Sequence, residues 1–476
     1  MRSVDVIMGE LNLLRREQIM VWIVIGLLVA MLFAAFSGRL LIAEKRSIAS
    51  QADNEAQMLI ASLKTQAAGG ADTARSAGAV GYSVLAMPVS KAATPLEGLA
   101  IGQNDFLPET YRVTARGAHT FFGQSDPENS LRLALGNFDV AFIVIWVLPL
   151  LAIGLFFDIV VGERERGVLA LASVAGASVG RIVWYKWWSR FSVLALLLAF
   201  ALFLSALLQQ GPWGTTTTFV LTGWIVTTIV YLALWCALAL YVSTVTRSSE
   251  SAATYLAGAW LVFVVLVPAI GNLLVTSVVP PPSRVELTAT LREATEQADK
   301  AIAAQREQWF FDHPDVSGDM DRQAYYASVA RSEAEIDKVM SPLLAEFAQN
   351  SRDQQRIVES LKYLSPSTLT FRALTALSGS DGDQHAAFRD AVIAFHEKWR
   401  RFFVSRIETA EAMTAEDYDR LPVFEPPAYE TRAILRLLIA PMLVMLGLTC
   451  GLCFLASRRL RNPEDIFALS SQNRYS

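Results

Sequence analysis

The sequence predicts an all-α polytopic membrane protein, in which six transmembrane helices carry a mixed α/β first and a mainly helical second extracytoplasmic domain. Three observations lead there. Hydrophobic residues fill 53% of the 476 positions and charged residues only 18%, where ordinary globular chains are about 25% charged. Six apolar runs approach or exceed the roughly 20 residues that a helix needs to cross a hydrocarbon core about 30 Å thick. Two long polar stretches separate the first run from the second and the fifth from the sixth. A net charge of −4 gives no basic field, which excludes nucleic acid as a natural partner. Cys236, Cys450 and Cys453 all lie inside apolar runs and read as packing residues, not as a disulfide or zinc framework.

In chain order, residues 1–18 should form a cytoplasmic interfacial helix, amphipathic around Leu13, Leu14, Arg15 and Arg16. The first span, 19–38, ends at Arg39; its apolar core exceeds the roughly 7 to 15 residues of a signal peptide, so it is expected to stay as an anchor. The first extracytoplasmic domain, 39–139, starts as a continuation of that helix until Ala68, Gly69 and Gly70 stop it. Segments 82–89 and 111–113, punctuated by Gly and Pro, suit strands. The second span, 140–157, lies between Asp139 and Asp158. A cytoplasmic segment, 158–190, closes on Trp184, Tyr185, Lys186, Trp187 and Trp188, residues suited to a headgroup boundary. Spans three, four and five occupy 191–208, 219–244 and 252–279. The second extracytoplasmic domain, 280–436, should be helical over 284–309, 322–361 and 386–407; the last places Phe388, Val392, Phe395 and Trp399 at three- and four-residue steps. Ser341-Pro342 and Ser365-Pro366 predict helix boundaries. The sixth span is 437–456 and the tail 457–476.

Lys and Arg in short loops set orientation. Arg164, Arg166, Arg181, Lys186 and Arg190 crowd the second-to-third connection, Arg247 lies between spans four and five, and Arg458, Arg459 and Arg461 follow the sixth. The loop 209–218 has no charge. Both termini are therefore expected in the cytoplasm.

Catalytic signatures are sparse. No Walker A loop is present to cradle ATP phosphates, and no H-E-x-x-H zinc helix occurs. Gly176, Ala177, Ser178, Val179 and Gly180 match G-x-S-x-G, but a nucleophile elbow needs a preceding strand and a histidine in reach. The expected topology puts Ser178 opposite His119, His313, His385 and His396. Those widely spaced histidines read as solvated surface, not metal ligands. The chain is expected not to be an enzyme.

The stretch Asp158-Ile-Val-Val-Gly162-Glu163-Arg164-Glu165-Arg166-Gly167-Val168-Leu169, with Lys186 opening the third span, resembles the signature of ABC-2 type permeases. Asp158, Glu163, Arg164, Glu165, Gly167, Leu169 and Lys186 match it; Val168 stands where threonine is usual, and 174–180 replaces a turn that often holds proline. Residues 95–108 and the stretch from Leu364-Ser365-Pro366-Ser367 through Gly379 to His385 and Phe388 resemble the subgroup with enlarged outer domains, the DUF3526 type. The resemblance implies a six-span permease in a bacterial inner membrane whose ATPase is a separate chain in two copies, with ATP and Mg bound there and no cofactor on this chain. It also implies a second permease chain, identical or related, and an ATPase-coupling element built from Asp158, Glu163, Arg164, Glu165, Arg166, Gly167, Leu169 and Lys186. Glu/Arg pairs would supply a stiff polar contact joined to spans two and three, with Gly167 allowing the change of direction.

The spans hold almost no ionisable group to mark a route for cargo. Asn272, Pro268, Thr227, Thr228 and the run 215–218 are the polar or helix-breaking features, with bundle packing as the plainer account. Such a lining suits amphiphilic or lipid-like cargo. Two functions are expected: export driven by the partner ATPase, or force transmission to a periplasmic partner with nothing transported.

Overall fold

A computed structural model describes residues 18–70, 74–102, 108–121, 138–176, 178–280, 284–312, 322–408 and 412–461. The interfacial helix expected over 1–18 lies almost wholly outside them, as do His313, Ala177 and most of the tail. Among the described residues, six helices are long and apolar enough to cross a membrane. The protein is an all-α polytopic membrane protein whose only sheet among the described residues has two strands.

Helix α1 (Gln18–Ala68) passes from the first apolar run straight into the polar region and stops where Gly70 turns to φ +113°. The second apolar helix, α2, runs through Val140–Phe142, a π-helical turn Ile143–Val147, and Leu148–Phe156. Beyond a turn come α3 (Val161–Glu165) and α4 (Val168–Val174), then α5 (Val179–Leu208). The segment 158–190 is therefore not one connection, because its last third is already the start of α5. Helix α6 (Thr215–Val245) precedes α7, which comprises Ser249–Trp260, a second π turn Leu261–Leu266, and Val267–Val278. Helices α8 (Arg284–Asp312), α9 (Arg322–Leu361), α10 (Pro366–Ser378), α11 (Gly382–Glu408) and α12 (Ala415–Asp419) build the second polar region, and α13 (Thr431–Arg461) returns through the bundle.

Helix α6 is the axis of the bundle. It packs on α2, α5, α7, α10 and α13 and buries Trp224, Tyr231 and Trp235 completely or nearly so. Large apolar side chains such as Leu196, Phe200 and Phe454 point outward, as a lipid-facing surface requires. The polar regions share a second core, in which Phe388, Trp399 and Phe403 of α11 meet Tyr82, Val89 and Val113, with Leu63 of α1 joining them. Leu287 and Ala294 of α8 close a smaller core with Ile336 and Met340 of α9. Both polar regions rise from the end of the bundle where α1 leaves it, called here the head end.

Two local expectations are corrected and a third holds. Strands β1 (Met87–Ser90) and β2 (Thr110–Val113) pair antiparallel, but Tyr82 lies in a π-helical turn, Val80–Val84, not in a strand. Helix α9 runs through Pro342; both Ser341 and Pro342 are exposed, so water can take the carbonyl that proline leaves free. At Ser365-Pro366 the boundary forms as expected, with Ser365 capping α10 and Pro366 in its first turn.

Candidate functional site

The residues singled out between 158 and 186 lie together at the far end of the bundle, opposite the head. Helix α3 starts with amide groups that have no intrahelical partner; the N–H groups of Val160 and Val161 both donate to Ser243 Oγ of α6 at 3.1 Å. Asp158 lies 3.6 Å from Arg190 and 3.9 Å from Arg166, while Arg190 donates to the Leu155 carbonyl at 2.6 Å. Buried Glu163 pairs with Lys186 of α5.

Arg164 and Glu165 divide two helix ends between them. The Arg164 guanidinium donates to the carbonyls of Thr246 and Arg247, the latter at 3.1 Å, at the C-terminus of α6. Glu165 accepts from the Ser249 amide at 2.9 Å and the Ser249 hydroxyl at 2.6 Å, at the N-terminus of α7. A cation on the negative end of one helix and an anion on the positive end of the next are the signs that the helix dipoles favour. Gly167, at φ +74°, then reverses the chain in a conformation that glycine adopts without steric cost. Leu169 is fully buried and anchors α4, whereas Val168, Leu171 and Val174 are 45%, 73% and 87% exposed.

The acidic and basic residues expected as an outward polar contact are thus largely engaged within the chain, fastening α2, α5, α6 and α7 to one another. What faces outward is the apolar side of α4, carried on that latch. The sequence gives notice of this surface: the mildly hydrophobic stretch from Val168, which opens Val-Leu-Ala-Leu-Ala-Ser-Val, suits a helix lying along the inner face and offering a docking surface.

The residues considered for a cargo route do not share an environment. Thr227 and Thr228 are buried inside the bundle, and Asn272 is exposed on α7. Pro268 has a different role. In the π turn each N–H reaches back five residues, as Val267 does to the Val262 carbonyl. Pro268 has no N–H, so the Phe263 carbonyl loses its partner. The hydroxyls of Ser365 (buried at the start of α10) and Ser367 both donate to it, the latter at 2.8 Å. Pro149 follows the π turn of α2 in the same way. There, Tyr231 donates to the Ile145 carbonyl at 3.3 Å and Trp260 to that of Trp146 at 3.2 Å.

Helix α10 belongs to the bundle core: Leu369, Ala373, Leu374 and Leu377 pack among the apolar helices. Its C-terminal carbonyls meet the first polar region. Thr94 donates to the Ser378 carbonyl at 2.6 Å and Lys91 to that of Gly379 at 2.5 Å, and Tyr429 donates to the Leu377 carbonyl at 2.7 Å. Trp224 of α6 reaches Ser378 Oγ at 3.1 Å. Ser378 Oγ in turn donates to the Leu96 carbonyl at 3.3 Å, so the described part of the stretch 95–108 meets the stretch 364–388 at this helix end.

The histidines are corrected. His119, His385 and His396 are buried, not solvated. His396 Nε2 lies 2.6 Å from the Arg116 carbonyl, and His119 lies 3.8 Å from Glu333 and 3.5 Å from Asp337. Burial, aided by the positive charges of Lys91 and Arg389, pushes the His385 imidazole down to about 4. Ser178 lies at the residue before α5, with no side-chain bond to the helix, after helix and turn rather than a strand.

No curated protein matches the chain. Residues 284–427 match the family model described as a domain of unknown function, DUF3526. The matched segment takes in α8 to α12, and with them Ser365, Ser367 and the capped end of α10.

Proposed function

We propose that the chain is the membrane-spanning permease subunit of an ATP-binding cassette transporter of the ABC-2 type, coupling ATP hydrolysis on a separate ATPase to export. The observation that carries this reading is the latched connection with α4 at its tip. A motor subunit can move a bundle only through a contact stiffly joined to several spans. Leu171 and Val174 offer an apolar face to such a partner, and the contacts of Glu163, Arg164 and Glu165 pass a displacement of α4 to α5, α6 and α7. On this reading both termini and α4 face the cytoplasm of a bacterial inner-membrane protein. Two ATPase copies bind ATP and Mg, and a second permease chain completes the pair; this chain has no catalytic site of its own.

The test is ATPase stimulation on assembly with its partner. Leu171→Asp with Val174→Asp should remove the stimulation while leaving the permease folded; unchanged stimulation would sink the reading. A second function, force transmission to a periplasmic partner without cargo, is favoured by α10. That helix ties the head to α6, α7 and α13, so bundle motion would drive the polar regions directly. ATP-dependent cargo movement across reconstituted vesicles separates the two, because hydrolysis without transport supports force transmission.

A further inference from the structure

A cavity of about 340 Å³ lies at the head end of the bundle, between α1, the 93–98 loop and the turn joining α5 to α6. Its volume falls within the about 300 to 1,000 Å³ typical of small-ligand sites. Its position is set by α1. Arg39 is the first charge after the apolar run, and Trp213, 49% exposed, leans on Phe203 of α5 with ring centroids 6.2 Å apart. Arg and Trp at this level mark a membrane–water boundary.

Two features distinguish the cavity from an ordinary boundary cleft. The first is charge. Arg46 is held by Glu97 at 3.1 Å, whereas the Arg39 guanidinium donates to a neutral amide, Gln210 Oε1, at 2.6 Å. Among the described residues no carboxylate pairs with Arg39. A guanidinium presents a planar fork of donors matched to phosphate and carboxylate oxygens, and the amide of Gln210 takes up only part of it. The second is strain. Leu96 at φ +58° and Gln210 at φ +51° are the only non-glycine residues in the left-handed region among the described residues, and both line this cavity. Such conformations persist where the surrounding structure holds them, and they gather at ligand sites. At Gln210 the strained backbone goes with an amide set against Arg39. Thr217 Oγ1, also on the wall, donates to the Pro212 carbonyl at 2.8 Å and steadies the turn.

We propose that this cavity binds the anionic head of a membrane amphiphile, through a phosphate or carboxylate group, with Arg39 as its counter-ion. The volume admits a head group and not a pair of acyl chains. The chains would leave past Trp213 and Phe203 onto the lipid-facing side of α5. The inference needs only the membrane-spanning bundle and not the coupling to an ATPase, so the two can fail separately.

The test uses the full chain purified in neutral detergent and titrated with short-chain phosphatidylglycerol, phosphatidylcholine of the same chain length, and inorganic phosphate. Phosphatidylglycerol should bind at least about ten-fold more tightly than phosphatidylcholine, consistent with the weight of a charge-assisted contact. Arg39→Gln should remove that preference and Arg39→Lys should keep most of it, with melting temperatures matching the parent. Gln210→Gly relaxes the left-handed backbone and frees the donor that its amide holds, so it should melt no lower than the parent and keep the preference for phosphatidylglycerol. Equal binding of both lipids, or a preference that survives Arg39→Gln, would overturn the proposal. Inorganic phosphate binding as tightly as phosphatidylglycerol, with the same dependence on Arg39, would overturn the membrane source and leave a free-anion site. A Gln210→Gly protein less stable than the parent would overturn the argument from strain.

Discussion

The joint between α10 and the proline break in α7 can be taken apart one group at a time. Ser365 both caps α10 and donates to the Phe263 carbonyl, so Ser365→Ala should cost about 0.5 to 2 kcal/mol through the cap alone. Ser367→Ala removes one neutral hydrogen bond, about 0.5 to 1.5 kcal/mol. Either single variant leaves the carbonyl with one hydroxyl. The double variant leaves it with none, and an unsatisfied group away from water adds about 1 to 3 kcal/mol. The double should therefore cost more than the sum of the singles by at least about 1 kcal/mol, a coupling of the kind expected for two donors on one acceptor. Pro268→Ala supplies the check. It restores an N–H at the position that, in the five-residue register of the π turn, reaches the Phe263 carbonyl, so in that background the coupling should shrink toward zero. Reversible unfolding in mixed micelles, run as a cycle over the three positions, reads this directly. Strict additivity in both backgrounds would refute the idea that the serines replace the bond that proline removes.

Three further outcomes are expected. Burial, with the negative charge of Glu97 beside it, pushes the Glu109 carboxyl up to about 7 from an ordinary 4.5. The unfolded chain therefore loses this proton first, and stability falls as pH rises from 4.5 to about 7, by about 1.4 kcal/mol per pH unit. Glu109→Gln should flatten that slope in unfolding measured across the window, while the lowered His385 gives the opposite slope, costing stability as pH falls from 6.5 toward about 4. Gly38→Ala places a Cβ against the Gly98 backbone, which cannot swing aside, and should cost about 1 to 3 kcal/mol by thermal unfolding. Arg164→Ala removes charged hydrogen bonds from the end of α6 and should cost about 1.5 to 3 kcal/mol. It should also speed amide exchange in the last turn of α6, whereas Arg166→Ala, on a more exposed side chain, should change little.

The membrane-spanning part was legible because its signal is the absence of charge, and length alone separates a span from a buried helix. Uncharged runs located every apolar helix, although α1, α5 and α13 extend well beyond the apolar stretch in charged turns that hydropathy does not count. The place of α10 was not legible. By sequence, 366–378 falls in the second polar region with no helix of its own, and the segment packs inside the bundle because its hydroxyls find partners there: the Phe263 carbonyl for Ser365 and Ser367, Trp224 for Ser378, and carbonyls of its own helix for Thr370 and Thr375. The motifs around 158–169 and 364–388 were visible as resemblances, but composition does not say which way a charged side chain turns. Glu163 and Arg164, expected as part of a coupling element, turn inward because Lys186 of α5 and the C-terminal carbonyls of α6 lie within reach. His119, His385 and His396 misled for a related reason: each sits in a polar stretch of chain, and tertiary contacts bury it.

The most direct test of the account concerns α4. Val174→Cys, in a background with the native cysteines replaced, should resist a membrane-impermeant maleimide added to intact cells and react once the membrane is opened. With the partner ATPase present, the same position should cross-link to it and become protected. Labelling of Val174→Cys from outside intact cells would contradict the account, since α4 would then face away from any cytoplasmic motor.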